Sequence, residues 1–420
     1  MSHGPLLLIL LVAAAYLAQL ASPLRLNNDA EAYLFLAHSV CQGQGFTIDG
    51  EPTHFPPGYP ATVALLDRIG LAHAPGLIAL NLLALALGLH AWARLHRRAF
   101  DATPTTTAIT LAATLLSWPM IKHATLPVSE SLYTGLSLFT LALLHDVQSR
   151  TGRSRWLLLG VGLVLSVLAI SVRTIGITLL PALLVAACPP DAWTNFRRRA
   201  GLALPVAGAL LLIGAAVFAA RTQYAAEMLE QFRVTAVAAH LHDKLLDFGE
   251  LFFNLPSAKL PRILWPLVIA AGALVPIVVT IGFFRRRRFT PVDAYLLAYV
   301  GILLIWPYHD ARFWVPILPL LAAYSLAALR PATMRPAPRW LAAAYASWFL
   351  ALGAVALAHS TRISYAGPTF PDRYAGGALR STYRAADGHP LTAAESATLN
   401  PRMLSLLRHY NPRAQSPPAK

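Results

Sequence analysis

Long apolar runs recur along the whole chain and limit what it can fold into. A helix that crosses a bilayer needs about 17–25 apolar residues. Of the 420 residues, 56% are hydrophobic and 13% are charged, and a soluble core could not enclose that much apolar surface. The clearest candidate spans are Leu6–Ala21, Leu77–Leu95, Thr105–Ile121, Val128–Leu144, Leu202–Ala220, Ile263–Phe284, Val292–Trp306, Phe313–Leu329 and Leu341–Ala358. The sequence therefore predicts an all-α polytopic membrane protein.

Short arginine clusters between the apolar runs indicate which loops are cytoplasmic. They lie at Arg94/Arg97/Arg98, Arg150/Arg153/Arg155, Arg197–Arg199, Arg285–Arg288 and Arg330/Arg335/Arg339. The stretch Trp156–Ala187 decides their arrangement, because it is long for one span and short for two. One span would divide the clusters between both faces, whereas two spans turning near Arg173 put them all on one. We therefore predict about eleven spans, with a cytoplasmic N-terminus and a periplasmic C-terminus.

The formal net charge of +15 would suit a nucleic-acid partner, but the basic residues stand in loops between spans. Membrane lipids are the expected partner, and nucleic acid is not. Cys41 and Cys188 fall on opposite faces, so no disulfide framework is expected. The first apolar run is expected to be an uncleaved span, because no Lys or Arg precedes it. The Ala-, Leu- and Arg-rich composition suggests a bacterial inner (plasma) membrane.

Two regions are predicted along the chain. Residues 1–358 form a transmembrane domain, and residues 359–420 form an external C-terminal tail or small cap. Within the first region, residues 22–76 form a long first external loop and residues 221–261 a second. Ala30–Val40 and Pro60–Leu71 predict short amphipathic helices in the first loop. The sequence shows no internal repeat, which weakens a transporter built from inverted halves.

The first external loop carries the most informative motif of the chain, around Asp29. This carboxylate follows the first span within a few residues, so it is expected at the outer membrane surface. There it would be able to take a proton from an acceptor hydroxyl. The alternative is structural, since Asn28 or Asp29 would cap a helix that begins at Ala30. The two roles are compatible.

Several motifs in this order resemble the GT-C glycosyltransferases, multi-spanning enzymes that include protein mannosyltransferases and the lipid A aminoarabinose transferase. The resemblance runs from about Leu6 to Leu329. The first-loop pattern is fairly specific, and the three later ones gain force from their order. The motifs are Asn27-Asn28-Asp29-Ala30-Glu31-Ala32-Tyr33, Gly43-Gln44-Gly45-Phe46, Pro56-Pro57-Gly58-Tyr59-Pro60, Pro127-Val128-Ser129-Glu130-Ser131-Leu132, Val172-Arg173-Thr174-Ile175-Gly176 and Arg312-Phe313-Trp314-Val315-Pro316-Ile317-Leu318-Pro319.

The resemblance implies that Asp29 is the catalytic carboxylate and acts as general base. It also implies a sugar donor joined to a polyprenyl monophosphate, inversion at the anomeric carbon, and a lipid, glycan or protein acceptor. Two departures limit what is carried over. Several relatives have paired acids where Asp29 stands between Asn28 and Ala30, and some have a lysine where this chain has Phe55. Another cation must therefore offset the charge of the phosphate.

Three basic residues are candidates for binding the donor phosphate. Arg173 is expected at an outer turn between two spans, and Arg312 at the start of the tenth span. The planar guanidinium of arginine suits bidentate phosphate binding. Lys122 is a third candidate. The alternative for each is an interfacial side chain that reaches the lipid headgroups.

Six more residues are expected to contact the acceptor or shape the site. Glu130 would alternatively be a first-turn acid favoured by the helix dipole. A divalent cation is possible, with Asp29, Glu31, Glu130 and His309 as ligands, but their spacing does not resemble a dedicated metal site. We therefore predict no metal site and no firm cofactor. The six residues are Glu31, His54, Tyr59, Glu130, His309 and Asp310.

Two other functions remain open at this point. A transporter or flippase would carry ionisable residues in the middle of its spans, and the predicted spans lack them once Arg173 lies in a turn. A non-catalytic component of a polysaccharide export system would not need Asp29. The sequence therefore favours the transferase.

Overall fold

Helices make up nearly all of the computed structural model, which describes residues 4–53, 55–188, 234–306, 308–329 and 336–411. The only strands among these residues, Thr47–Ile48 and Glu51–Pro52, form a short antiparallel ribbon in the first loop. The helices are α1 Gly4–Ala18, α2 Asn28–Cys41, α3 Gly58–Arg68, α4 Ala74–Ala99, α5 Pro104–Leu115, α6 Trp118–Ala124, α7 Ser129–Val147, α8 Gly152–Val172, α9 Leu179–Ala187, α10 Val234–Phe253, α11 Trp265–Arg286, α12 Pro291–Ile305, α13 Leu318–Leu329, α14 Pro336–Ser364, α15 Phe370–Tyr374, α16 Gly377–Ala386, α17 Ala393–Ala397 and α18 Pro401–Tyr410.

Five helical segments of the described chain are long and apolar enough to cross a membrane. They are Ala74–Ala99, Gly152–Val172, Arg262–Arg286, Ala311–Leu329 and Trp340–Ser364, and shorter apolar segments occur at Leu7–Ala21, Thr174–Ala187 and Pro291–Ile305. Their exposed apolar side chains, such as Leu83 and Trp156, suit contact with lipid. The predicted all-α polytopic membrane fold is confirmed. The predicted span Leu202–Ala220 lies outside the described residues.

One predicted span is wrong. The apolar run Thr105–Ile121 forms two helices, α5 and α6, instead of one continuous helix. The second begins after Ser117, with Pro119 in its first turn, where a missing backbone N–H costs no hydrogen bond. The chain therefore breaks in the middle of a run whose hydropathy looks continuous.

The stretch Trp156–Ala187 forms the predicted hairpin. Helix α8 ends at Val172, Arg173 is extended, and the chain returns through a 3₁₀ turn and α9. Arg155, near the start of α8, donates a hydrogen bond of 2.7 Å to the carbonyl oxygen of Ala187 at the end of α9. The two ends of the stretch are therefore neighbours, and Arg173 lies at the opposite end of the hairpin.

Helices α4 and α7 pack closely and set the position of the start of α7. A Cβ atom on Gly88 of α4 would lie 2.4 Å from the Cα atom of Gly135 of α7, so only glycine permits this approach. The Asn81 side chain donates a 2.6 Å hydrogen bond to the carbonyl oxygen of Leu126, just before α7. The first turn of α7, which carries Glu130, is thereby held against α4.

The C-terminal residues fold against the first loop. Helix α14 continues past residue 358 to Ser364, and four short helices follow it up to Tyr410. The hydroxyl of Tyr383 donates to the carbonyl oxygen of Leu24 at 2.7 Å and accepts from the N–H of Leu26 at 2.9 Å. The residues before α2 are therefore fixed by the C-terminal helices.

A buried arginine joins the end of α1 to α14. Arg25 is 5% exposed. Its guanidinium donates to the hydroxyls of Ser22, Thr125, Ser360 and Ser364 and to the carbonyl oxygen of Ser360, at 2.8–3.2 Å. A buried charge that is fully hydrogen-bonded to neutral groups stabilises the structure only while every partner is present.

Arg25→Met is expected to lower the free energy of unfolding by about 2–4 kcal/mol, because several buried acceptors lose their charged donor. The measurement is the thermal unfolding midpoint of the purified protein in detergent. Arg402→Met is the matched control, since Arg402 pairs with Asp49 at the surface, where an ion pair contributes little. Equal shifts for both variants would contradict the assigned role of Arg25.

Candidate active site

The first turn of α2 leaves the carboxylate of Asp29 available for other contacts. The N-cap of α2 is Asn27, whose side-chain oxygen accepts the N–H of Ala30 at 2.8 Å. The expectation that Asn28 or Asp29 would be the cap is therefore wrong. Three adjacent residues are all good caps by type, and the one furthest from the helix takes the role.

Asp29 forms an ion pair with Arg312. The Nη1 atom of Arg312 lies 2.5 Å from Oδ2 of Asp29, and their side chains are 18% and 29% exposed. Arg312 stands in the 3₁₀ turn Ala311–Ile317, which leads into α13. Asp310 caps this turn by accepting the backbone N–H of Arg312 at 2.8 Å, and its other oxygen lies 3.5 Å from Nε of Arg312. Arg312 is thus shared between two carboxylates in a partly open position.

A second ion pair joins Glu130 to Arg173. The Nη1 atom of Arg173 lies 2.6 Å from Oε1 of Glu130, and the side chains are 13% and 2% exposed. Glu130 lies in the first turn of α7 and Arg173 at the end of the α8–α9 hairpin. The second carboxylate oxygen of Glu130 is buried without a hydrogen-bond partner among the described residues. A buried acceptor of this kind favours a ligand that carries a donor.

The two ion pairs belong to one cluster. The guanidinium carbons of Arg173 and Arg312 lie 5.8 and 5.0 Å from the centroid of the Phe313 ring. Glu130 is also close enough to Arg312 for their charges to attract. We call Asp29, Glu130, Arg173 and Arg312 the charged cluster; four elements distant in sequence contribute to it.

Aromatic residues of the first loop line one side of the charged cluster. The Tyr33 ring packs edge-on against Phe55 and Tyr59, with centroids 5.2 Å apart in each case. Its hydroxyl lies 3.1 Å from the Ser129 hydroxyl, next to Glu130. Burial and the charge of Glu130 raise the pKa of Tyr59 well above its ordinary value, so its hydroxyl stays protonated. That hydroxyl is buried without a hydrogen-bond partner in the described structure and can donate to a ligand.

Other predicted site residues lie elsewhere. Glu31 accepts a 3.3 Å hydrogen bond from Asn400 at the start of α18, so it faces the C-terminal helices. Lys122 is exposed, with its ammonium group 5.9 Å from the centroid of the Trp118 ring. His309 is exposed beside Asp310, and His54 lies outside the described residues. Glu31 and Lys122 are thus not drawn into the ion pairs of the charged cluster.

Helix α10 contributes residues that the sequence analysis missed. Lys244 donates to the carbonyl oxygen of Tyr308 at 2.5 Å. Asp247 accepts from the indole N–H of Trp314 at 3.4 Å. Both charged residues are nearly fully buried, and their spacing of three puts them on one face of the helix. They hold α10 against the segment that carries Arg312. In the sequence, the spacing of Lys244 and Asp247 was the feature that could have indicated a shared role.

Asp247 is expected to make the stability of the protein depend on pH. Burial raises its pKa to about 7, although Lys244 and His309 oppose the shift. Between the ordinary value near 4 and about 7, the folded protein keeps a proton that the unfolded chain releases. Stability is therefore expected to fall as pH rises through this window and to level off above it.

Asp247→Asn should flatten the dependence of the thermal midpoint between pH 5 and 8 (roughly the window set by that shift). Asp243→Asn, at a partly exposed site one turn away, is the control, and an unchanged slope in Asp247→Asn would contradict the assignment.

The residues considered as possible ligands of a divalent cation are engaged in other contacts. Asp29 and Glu130 are each paired with an arginine, and Glu31 bonds to Asn400. A different group in the described structure brings together three side chains that suit a metal ion, namely His38, Asp67 and His409. It draws on three separate helices, which is why no sequence spacing indicated it.

Comparisons with known proteins agree with this architecture. The sequence matches no protein-family model, and a comparison with curated proteins found no match. Among solved structures, ArnT from Cupriavidus metallidurans bound to undecaprenyl phosphate superposes with a TM-score of 0.53 and 16% identity, covering 98% of this chain and 86% of that one. The apo form of ArnT gives 0.51 and 16%, covering 97% and 84%. The Archaeoglobus fulgidus oligosaccharyltransferase complex with zinc and sulfate gives 0.48 and 15%, covering 96% and 61%. The likeness to ArnT shows the expected GT-C fold over nearly the whole chain.

Proposed function

We propose that the protein is an integral membrane glycosyltransferase. It moves a sugar from a polyprenyl-phosphate donor to an acceptor on the extracytoplasmic side, with inversion of configuration. The observation that carries the proposal is the charged cluster, in which a partly open carboxylate, Asp29, pairs with Arg312, and a second arginine, Arg173, contacts the same Phe313 ring as Arg312. The fold supports it, since ArnT has the same architecture and was determined with undecaprenyl phosphate bound.

In the proposed reaction Asp29 is the general base. The acceptor hydroxyl oxygen attacks the anomeric carbon and forms the new glycosidic bond, while its proton passes to the carboxylate of Asp29. The bond between the anomeric carbon and the phosphate oxygen breaks, and its electron pair leaves with the polyprenyl phosphate. A single displacement of this kind inverts the anomeric configuration.

The arginines can stabilise the negative charge that develops on the leaving phosphate. A donor phosphodiester carries one negative charge, and the released monoester gains a second as the bond breaks. Donors aimed at developing charge lower the barrier most when water is excluded. Arg173 is well placed for this role because it is largely buried, and it contacts the same Phe313 ring as Arg312.

In this scheme, binding of the donor would also break the ion pair between Asp29 and Arg312. A phosphate that binds Arg312 competes with Asp29 for the same guanidinium. Asp310, which also contacts Arg312, can keep that side chain in place while Asp29 turns to the acceptor. Donor binding would then release the base at the point where it is needed.

A direct transfer assay tests the proposal. The chain is reconstituted in liposomes with a panel of radiolabelled polyprenyl-phosphate pentoses and hexoses and with bacterial lipid, glycan and peptide acceptors. Transfer of label is the expected result, and NMR of the product should show the anomeric configuration opposite to that of the donor. Retained configuration would overturn the single-displacement mechanism. Binding or release of the donor without any transfer would favour a flippase.

The sidedness of the proposed site makes a separate prediction. In a chain with Cys41 and Cys188 replaced by alanine, Glu51→Cys and Ser396→Cys should react with a membrane-impermeant maleimide added to spheroplasts. Ser149→Cys should react only after the membrane is opened, because its loop carries a basic cluster. All three positions are exposed in the structure, so burial would not explain protection. Labelling of the Ser149→Cys variant alone in sealed spheroplasts would mean that the topology is the reverse of the predicted one.

A further inference from the structure

We infer that His38, Asp67 and His409 form a binding site for a divalent transition-metal ion, with zinc as its expected occupant. The site is separate from the charged cluster. His38 follows Asp29 by nine positions on α2, which is about 14 Å along a helix. Its proposed role is to fasten the C-terminal helix α18 to the first loop.

The geometry of the three side chains is close to that of a metal site. One ligand atom from each lies within 4.8 Å of the other two. His409 Nε2 is 3.1 Å from an Asp67 carboxylate oxygen. A tetrahedral zinc ion with bonds of roughly 2.0–2.1 Å holds its ligand atoms about 3.4 Å apart. Small side-chain rotations would therefore close the site around an ion.

An ordinary surface ion pair does not account for the second imidazole. The rings of His38 and His409 lie 4.9 Å apart, edge to face, beside a single carboxylate. If both were protonated, two cations would share one anion at short distance, which is unfavourable. With both imidazoles neutral, two nitrogen lone pairs and one carboxylate are the donor set of a transition-metal ion.

The surroundings of the three residues support an ion with a preference for nitrogen ligands. Gln42 contacts the His38 ring at 2.7 Å and helps to orient it. The thiol of Cys41 lies beside the Asp67 carboxylate but donates to the carbonyl oxygen of Ala64, so the donor set is the two imidazoles and the carboxylate. Magnesium and calcium prefer sites made of oxygen ligands alone, whereas imidazole ligands favour zinc, copper and nickel.

An ion at this site would link three helices. His38 lies in the last turn of α2, Asp67 in the last turn of α3 and His409 in the last turn of α18. The neighbouring Tyr410 donates a 3.3 Å hydrogen bond to the carbonyl oxygen of Leu34 in α2. An ion bound by all three helices would join α18 to the first loop, which carries Asp29.

Metal titration of the full-length protein tests the inference. The chain is purified without a polyhistidine tag, treated with a chelator and titrated with Zn²⁺, Mg²⁺ or Ca²⁺ by calorimetry. The expected result is one zinc ion bound per chain, and no comparable binding of Mg²⁺ or Ca²⁺. His38→Ala and His409→Ala should each raise the zinc Kd by at least about tenfold. His359→Ala, which removes an exposed histidine of α14, should leave the Kd unchanged.

Hydrogen exchange provides a second readout that does not depend on enzymatic activity. Zinc should slow amide exchange in α18 of the wild-type chain and of His359→Ala, but not in His409→Ala. Absence of stoichiometric zinc binding would overturn the inference. So would equal zinc affinity in all variants, or binding that does not change exchange in α18.

Discussion

Asp29→Asn is expected to abolish measurable sugar transfer, with a fall in kcat of about 10²–10⁴-fold, as for the loss of a general base. The amide keeps the size of the side chain but cannot accept the acceptor's proton. Folding should change little, because Asn27 and not Asp29 caps α2, and Asp310 remains beside Arg312 after the substitution.

The control lies on the same helix. Glu31→Gln removes a carboxylate two positions away that bonds to Asn400 and stays apart from the charged cluster. This variant should keep most of its transfer activity. The assay is initial rate against donor and acceptor concentration, with the thermal midpoint measured in parallel. Undiminished transfer by Asp29→Asn, or an equal loss in both variants, would remove Asp29 as the base.

The hairpin at Trp156–Ala187 could be predicted from the sequence because arginine clusters are expected on one face of a membrane. Hydropathy alone did not determine whether Trp156–Ala187 crosses once or twice, but the arginine loops did. The structure has the hairpin, with Arg155 bonded to Ala187 at its base. This reversal carries Arg173 to Glu130; the rule about loops predicted the turn that carries Arg173 but not its ion pair.

Local preferences could not resolve features that tertiary contacts decide. Asn27, Asn28 and Asp29 all suit the N-cap position, but Asp29 instead contacts Arg312, which lies 283 positions away in sequence. Glu31 faces α18 because Asn400 approaches it, a contact 369 positions apart in sequence. The break at Ser117 was visible as a serine followed by proline, but continuous hydropathy concealed it.

Removal of one partner of the Glu130–Arg173 pair is expected to damage the fold as well as the site. Arg173→Ala would leave Glu130 buried, at 2% exposure, without the countercharge to which it is directly paired. The cost of an uncompensated buried charge is about 3–5 kcal/mol. A loss of transfer in this variant would therefore not separate phosphate binding from misfolding.

A double substitution separates the two effects. Arg173→Met combined with Glu130→Gln removes both charges together, and replacing a buried pair by neutral side chains is commonly close to neutral for stability. The double variant should recover the thermal midpoint but not the affinity for polyprenyl phosphate. That affinity should fall by about tenfold or more if a charge-assisted hydrogen bond worth about 1.5–3 kcal/mol is lost. Calorimetric titration with a short-chain polyprenyl phosphate measures it.

The outcome distinguishes a phosphate-binding role of Arg173 from a purely structural ion pair with Glu130. If Arg173 binds the donor, the double variant is folded, binds polyprenyl phosphate weakly and shows a raised KM for the donor with an unchanged KM for the acceptor. A folded double variant with wild-type donor affinity would assign the pair to packing alone, and Arg312 would be left as the phosphate ligand of the charged cluster. Because Arg312 is the other arginine of the charged cluster and is partly exposed, the same titration on Arg312→Met would then be expected to show the loss.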